Sequence, residues 1–233
     1  MTDPSKYAII SDIHSNLEAL EAVIQRLPKT APVLCLGDTV GYGPQPNEVI
    51  ETLCDLQPLA VLMGNHDYAV TTGDIEDFSS HAAAAIAWTR RQLTSTNSRF
   101  LSGLTPSTKL ELDEGLVALY HGSPRDPLFE YVYPEIGSEA AEGLIHLSNS
   151  SVVLLGHTHI PMMFSMESKL LANPGSVGQP RDGNPYASFG VLTMAREHNF
   201  EVVRVKYDVE STAKRIIDSG LPRFLGDRLH TGM

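Results

Sequence analysis

Cysteine is scarce in this chain. Cys35 and Cys54 are the only two among 233 residues, too few for a disulfide framework. Cys35 stands inside an apolar run and Cys54 on the expected face of a helix, so both read as reduced core or near-core residues. No run approaches the roughly 20 apolar residues that span a bilayer. The opening Met1-Thr2-Asp3-Pro4-Ser5-Lys6 lacks the basic start and apolar stretch of a secretory leader. These absences point to the cytoplasm. Basic residues are also few: 17 Lys and Arg stand against 28 Asp and Glu, a formal charge of −11. A field of that sign repels polyanions, which argues against long nucleic acid and against an anionic membrane surface as partners. A small phosphate compound is not excluded, because bound divalent cations would reverse the local field.

What the chain does have is a repeated arrangement. Five apolar runs each end in a short polar cluster. Tyr7–Ile10 leads to Asp12-Ile13-His14, and Val33–Leu36 leads to Gly37-Asp38. Leu59–Met63 leads to Gly64-Asn65-His66-Asp67, Leu116–Tyr120 to His121, and Val152–Leu155 to Gly156-His157-Thr158-His159. Short runs rich in Val, Ile and Leu read as strands buried on both faces. Ligands of open α/β sheets gather at the carboxyl ends of strands. Five such clusters rich in His, Asp and Asn are poorly explained by packing.

The first seventy residues follow a β-α-β-α-β pattern, which implies parallel strands with right-handed crossovers. A helix fits Leu17 to Leu27, with Asn16 as N-cap and Pro28 as stop. A second helix is expected from a cap at Asn47 to about Leu56. Residues 68–80 read as a polar loop, after which Ser80 caps a helix from His81 to Thr94. Pro106 to Glu114 reads as a turn and a short strand, and Ser138 to Leu147 as a helix. The last third looks mostly antiparallel, with strands at Met162–Ser165, Lys169–Ala172, Ala187–Met194 and Phe200–Tyr207. A turn-rich loop runs from Asn173 to Arg181, and a helix from Glu210 to Ser219 closes the pattern. The expectation is an α/β protein with one domain over residues 1–233, made of two sheets with helices outside.

Side chains at i and i+2 of an extended backbone point the same way, so Asp12 with His14, and His157 with His159, can each present two ligands to one cavity. Carboxylate with imidazole suits manganese, iron or zinc rather than calcium. Two ions about 3.5–4 Å apart form a known phosphoryl-transfer device.

Asp12-x-His14, Gly37-Asp38-x-x-Gly41, Gly64-Asn65-His66-Asp67, the isolated His121 and Gly156-His157-x-His159 resemble, in order, the motif set of the calcineurin-like metallophosphoesterases. Asn173-Pro174-Gly175-Ser176-Val177-Gly178 resembles the ending of their small single-domain prokaryotic phosphodiesterase branch. The resemblance implies a sandwich of two mixed β-sheets flanked by helices. It implies two divalent metal ions, manganese first, with iron, zinc, nickel or magnesium as alternatives. Asp12, His14 and His159 would hold one ion, Asn65, His121 and His157 the other, and Asp38 would bridge both. His66 would act beside the phosphate as proton donor or positive charge, and Asp67 would orient it. The implied reaction is in-line attack of a metal-held hydroxide on a small phosphodiester or nucleotide-type substrate. A phosphomonoesterase or phosphoprotein phosphatase of the same fold is the alternative, and a non-catalytic scaffold is a rival of another class. The arginine-bearing signature of the serine/threonine phosphatases is missing after Asp38, where Thr39-Val40-Gly41-Tyr42-Gly43-Pro44 stands. Oligomerisation is left open.

The remaining histidines, His81, His146, His198 and His230, read as surface or capping residues, with His81 placed near the third cluster. Tyr42 and Arg181 read first as parts of turns and second as cleft residues, Arg181 being suited to phosphate. Trp88 reads as core. Residues 68–94 are expected to border the cleft and fit it to a small phosphoester.

Overall fold

A computed structural model describes residues 5–112 and 115–233. The first four residues of the opening stretch and the end of the stretch read through Glu114 lie outside the described residues.

The N-terminal alternation folds as its pattern predicts. Strands β1 (Ser5–Ile10), β2 (Val33–Cys35) and β3 (Ala60–Val61) pair in parallel, with β1 beside β2 and β2 beside β3. Helices α1 (Leu17–Ile24) and α2 (Pro46–Asp55) are the crossovers. Strands β9 (Ala187–Met194) and β10 (Asn199–Val205) extend this sheet antiparallel, giving the order β10-β9-β1-β2-β3. The second sheet has the order β4-β5-β6-β8-β7. It contains β4 (Ser107–Leu112), β5 (Gly115–Tyr120), β6 (Val152–Leu155), β7 (Met162–Met166) and β8 (Lys169–Asn173). Both sheets are mixed. The expected antiparallel character of the last third is corrected in one respect: β8 also pairs in parallel with β6. Its apolar Leu170-Leu171-Ala172 is covered on both faces, which suits a central strand.

Period-two alternation decides which side chains meet. Tyr7, Ile9, Leu34 and Leu36 face Val117, Leu119, Val152, Leu154 and Leu170 in the core between the sheets. Ala8, Ile10, Val33 and Cys35 point the other way, under Leu20 and Val23 of α1 and Val49 and Leu53 of α2. On the outer face of the second sheet, Ala118, Val153, Leu155 and Leu171 pack under Leu144 and Ile145 of α6 (Ser138–Ser148). Cys54 lies exposed, contrary to the near-core expectation, because the apolar stripe of α2 runs through Val49, Ile50 and Leu53. Trp88 is partly buried against Ile216, Leu221 and Leu225 and donates its indole N–H to the Ser219 carbonyl at 3.1 Å.

The region between β3 and β4 is more helical than its composition suggests. Residues expected as the start of a loop form α3 (Asn65–Thr72), followed by α4 (Ser80–Gln92) and α5 (Ser95–Ser102). Ser79, not Ser80, caps α4, and Thr94 caps α5. Asn47 is not a cap either. It lies inside α2, donates to the Gln92 carbonyl at 2.9 Å and accepts from the Thr94 amide at 3.0 Å. The chain ends with α7 (Val209–Asp218) and the short α8 (Arg223–Asp227). Among the described residues no helix is long and apolar enough to cross a membrane.

Asn16 ties three parts of this fold together. Its Oδ1 caps α1 by accepting from the Ala19 amide at 3.1 Å, and accepts from the Thr212 hydroxyl of α7 at 3.3 Å. Its Nδ2 donates to the Gly178 carbonyl at 2.9 Å. Asn16→Ala removes the cap and leaves a buried carbonyl unpaired, a loss of about 2 kcal/mol or more. The expected Tm change in a thermal melt is a fall of about 4–8 °C. An unchanged Tm would show that water replaces these contacts.

Candidate metal centre

The nine residues singled out from the sequence fall at one place, at the carboxyl ends of β1, β2, β3, β5 and β6. All of them are buried. Their backbone geometry differs from the extended one first expected. Asp12 (φ 54°), His14 (φ 50°), Asp38 (φ 51°), His157 (φ 69°) and His159 (φ 61°) all adopt the left-handed conformation, beyond the last strand residue. The i, i+2 pairs therefore converge through tight turns and not through strand pleat. Such residues cost on the order of 1–2 kcal/mol each. Neighbouring loops hold them: the Asp12 amide donates to the Gly37 carbonyl at 3.0 Å, and the His14 amide to the Asp38 carbonyl at 2.9 Å.

Two clusters result. Asp12, His14, Asp38 and His159 form one, and Asp38, His121 and His157 form the other, with potential ligand atoms within 4.8 Å of one another in each. Asp38 belongs to both. Its Oδ1 accepts from the His66 amide at 2.8 Å. Its Oδ2 has no hydrogen-bond partner and lies 3.5 Å from His14 Nε2 and 3.6 Å from His121 Nε2. Asp12 repeats the arrangement: Oδ2 accepts from the His157 amide at 3.1 Å, while Oδ1 is unpartnered and 3.3 Å from His159 Nε2. Asn65 Oδ1 is 3.1 Å from His121 Nε2.

Tautomers follow from the outer contacts. A carbonyl oxygen only accepts, so the ring nitrogen against it carries the proton. His14 Nδ1 faces the Val40 carbonyl at 3.2 Å, His159 Nδ1 that of Gln179 at 2.5 Å, and His121 Nδ1 that of Leu36 at 2.8 Å. In the neutral rings each Nε2 is then a bare lone pair. His14 Nε2 and His159 Nε2 face each other at 3.0 Å with no hydrogen to share. His157 is turned round: Nε2 donates to the Phe129 carbonyl at 3.2 Å, leaving Nδ1 as the acceptor. Burial pushes His157 down to about 2 and holds His14 and His159 well below the usual range, so these three rings are neutral. Burial also pushes Asp12 up to about 7 and Asp38 well above the normal carboxylate range. Ring nitrogens that face each other without a hydrogen to share, beside carboxylates whose charged form burial penalises, are the condition a pair of divalent ions relieves. The donor set fits manganese, iron or zinc.

His66 and Asp67 occupy the first turn of α3. His66 is buried, and its Nδ1 has no hydrogen-bond partner. The ring packs against His14, Tyr42 and Phe78, with centroids 4.9, 4.3 and 5.0 Å away. Burial, reinforced by Arg181, holds it neutral. Asp67 does not orient this ring by a hydrogen bond. Its carboxylate accepts from the amides of Gly64 (3.0 Å), Val40 (3.0 Å) and Thr39 (3.2 Å), so it caps α3 and fixes the loop after Asp38. Three amides satisfy the carboxylate better than one imidazole would. Two glycines make the approach feasible. A Cβ on Gly64 would stand 2.0 Å from Asp38 Oδ1, and one on Gly41, at φ +98°, would stand 2.7 Å from His66 Nδ1.

A cavity of about 460 Å³ opens over the clusters, bounded by Asn65, His66 and His157. Tyr42 and Arg181 line it, as the second of their two readings had it. Asp77, Phe78, Ser79 and Ala82 place residues 77–82 on its wall, within the segment expected to border the cleft. His81 does not line it and stacks on Phe224 at 4.7 Å. Sequence reading missed Phe129, Tyr131 and Arg228. The aromatic run Phe129-Glu130-Tyr131-Val132-Tyr133, in a loop between two ligand clusters, was a usable signal. Arg228 had none, since it comes from the tail after α7.

Residues 6–197 match the calcineurin-like phosphoesterase superfamily domain. An uncharacterized protein of Methanocaldococcus jannaschii is 37% identical over 98% of both chains. Phosphodiesterase YfcE of Escherichia coli is 25% identical over 80% of this chain and 86% of its own. A crystal structure of a metallophosphoesterase from Sphaerobacter thermophilus superposes with a TM-score of 0.84 at 31% identity, covering 99% of this chain and 100% of the other.

Proposed function

The chain belongs to the calcineurin-like phosphoesterase superfamily and is a phosphoric ester hydrolase, and within that family we propose that it is a dinuclear-metal enzyme acting on a small phosphodiester or nucleotide-type substrate. The observation that carries the proposal is the facing of buried lone pairs at 3.0–3.6 Å around two unpartnered carboxylate oxygens. In this reading Asp12, His14 and His159 would hold one ion, Asn65, His121 and His157 the other, and Asp38 would be shared between them. The ions, manganese first, would supply an acidified water as nucleophile and neutralise the phosphate oxygens.

The protein's own residues do the rest. His66 lines the cavity while its Nδ1 lies buried against Gly41, so its other ring nitrogen is the one to meet the substrate, and an arriving phosphate would raise the ring's proton affinity and let it protonate the leaving oxygen. Asp67 acts through the backbone, keeping the loop after Asp38 and the first turn of α3 in register. The aromatic wall of Tyr42, Phe78, Phe129 and Tyr131 suits a planar ester group. The volume matches a nucleotide-sized ligand, which supports the small-molecule reading over a phosphoprotein one. The diester preference is supported by the likeness to the phosphodiesterase YfcE. Treating all of residues 1–233 as one domain is part of the proposal, because Arg228, beyond the matched residues, lines the same cavity.

Two outcomes are expected. Protein loaded with manganese should hydrolyse bis(p-nitrophenyl) phosphate with a higher kcat/KM than a phosphopeptide, and chelation should abolish the activity. A preference for the phosphopeptide would overturn the substrate class. His66→Gln should keep its metal content, measured by elemental analysis, and lose about 10²–10⁴ in kcat. The loss should be smaller for a nitrophenyl leaving group than for an alkyl one. Equal losses would make His66 an electrostatic stabiliser, and loss of metal would place it among the ligands.

A further inference from the structure

The cavity over the clusters carries more positive charge than catalysis at a single phosphate requires. Arg181 and Arg228 both line it, in a chain whose formal charge is −11. Among the described residues the Arg181 guanidinium hydrogen-bonds only to neutral groups, and its charge also reaches the buried Asp12 and Asp38. It donates to Gln179 Oε1 at 2.8 Å and to the Tyr42 hydroxyl at 3.3 Å, and lies over the Tyr42 ring at 5.7 Å. Arg228 reaches the cavity from the turn after α8. Its Nε is held by the Met233 carbonyl and its guanidinium lies over the Phe224 ring at 5.3 Å. These contacts hold both guanidiniums, and both residues line the same cavity. Asp77 is the one carboxylate on that wall beside the two arginines among the described residues, and it is exposed.

Holding two guanidiniums in a shared, partly desolvated cavity is unfavourable until an anion enters. Burial, with Arg181 adding repulsion, pulls Arg228 down to about 10. Planar forks are suited to bidentate recognition of phosphate.

We propose that Arg181 and Arg228 form a subsite for a second phosphate group, so that the preferred substrates carry one phosphate at the paired clusters and another in the outer cavity. The inference rests on the phosphoesterase reading of the site and deepens it. Substrates of this class are nucleotides bearing a pyrophosphate or two separate phosphates. A simple diaryl diester uses only half the cavity. The two arginines are specificity-determining residues, and neither takes part in the bond changes at phosphorus.

The test compares ligands that differ only by an added phosphate. Thymidine 5′-(p-nitrophenyl phosphate) and its 3′-phosphorylated form would be assayed with manganese-loaded enzyme. Binding of thymidine 5′-phosphate, thymidine 5′-diphosphate and thymidine 3′,5′-bisphosphate would be measured by calorimetry on the same protein. An added phosphate held by two arginines should improve kcat/KM or affinity in at least one pair by about ten- to a hundred-fold. That gain should shrink to within about two-fold in Arg181→Gln/Arg228→Gln, and return in part in Arg181→Lys/Arg228→Lys, which keeps the charge without the fork. Free inorganic phosphate added with the monophosphate should not reproduce the gain; if it does, the subsite takes the free anion and the substrate claim fails. No gain in any pair, or a gain that survives the double Gln variant, overturns the inference. Failure to cleave either ester would count against the phosphoesterase reading alone, because the calorimetric comparison still decides the subsite.

Discussion

Buried ring nitrogens and carboxylate oxygens that face one another organise this structure. Asp12 Oδ1 and Asp38 Oδ2 are sealed from water without a hydrogen-bond donor. Around them stand imidazole nitrogens whose protons are committed to carbonyls on the far side of each ring. Removing a charge from water costs several kcal/mol per ion unless it is paired. Those outer carbonyls fix which nitrogen looks inward, so the backbone around the site sets its chemistry as firmly as the ligands do.

Much of the fold works to hold that arrangement. Five candidate ligands sit in left-handed backbone, a conformation that persists only where the surroundings over-determine it. The surroundings here are amide-to-carbonyl bonds between adjacent loops and two sheets whose strands are covered on both faces. Asp67, expected to act on His66, instead gathers three amides and locks α3 against the loop after Asp38. The missing side chains of Gly64 and Gly41 leave the space that Asp38 and His66 occupy.

The candidate site was legible in the sequence because its residues end strands, and strand ends are marked by an abrupt change from apolar to polar side chains. The same contrast made β1, β2, β5 and β6 readable. It failed where local composition and tertiary context disagree. Residues 68–72 read as the start of a polar loop, but Asp67 caps the turn that leads into them and Val70 packs against Ile86 and Leu101. The i, i+2 argument assumed the wrong geometry, because alternation cannot distinguish a strand from left-handed turns, and it did not foresee that His157 and His159 part into different clusters. Arg228 was invisible, since only the folded tail brings it to the cavity.

The most direct measurement is low-temperature electron paramagnetic resonance of the chelated protein reloaded with manganese. Two ions bridged by Asp38 should give the broad, many-lined signal of an exchange-coupled pair at two equivalents per chain. Asp38→Asn should lower the affinity for both ions and remove the coupling. A six-line signal of isolated ions that persists at full loading, with Asp38→Asn binding as tightly as the parent, would contradict the account.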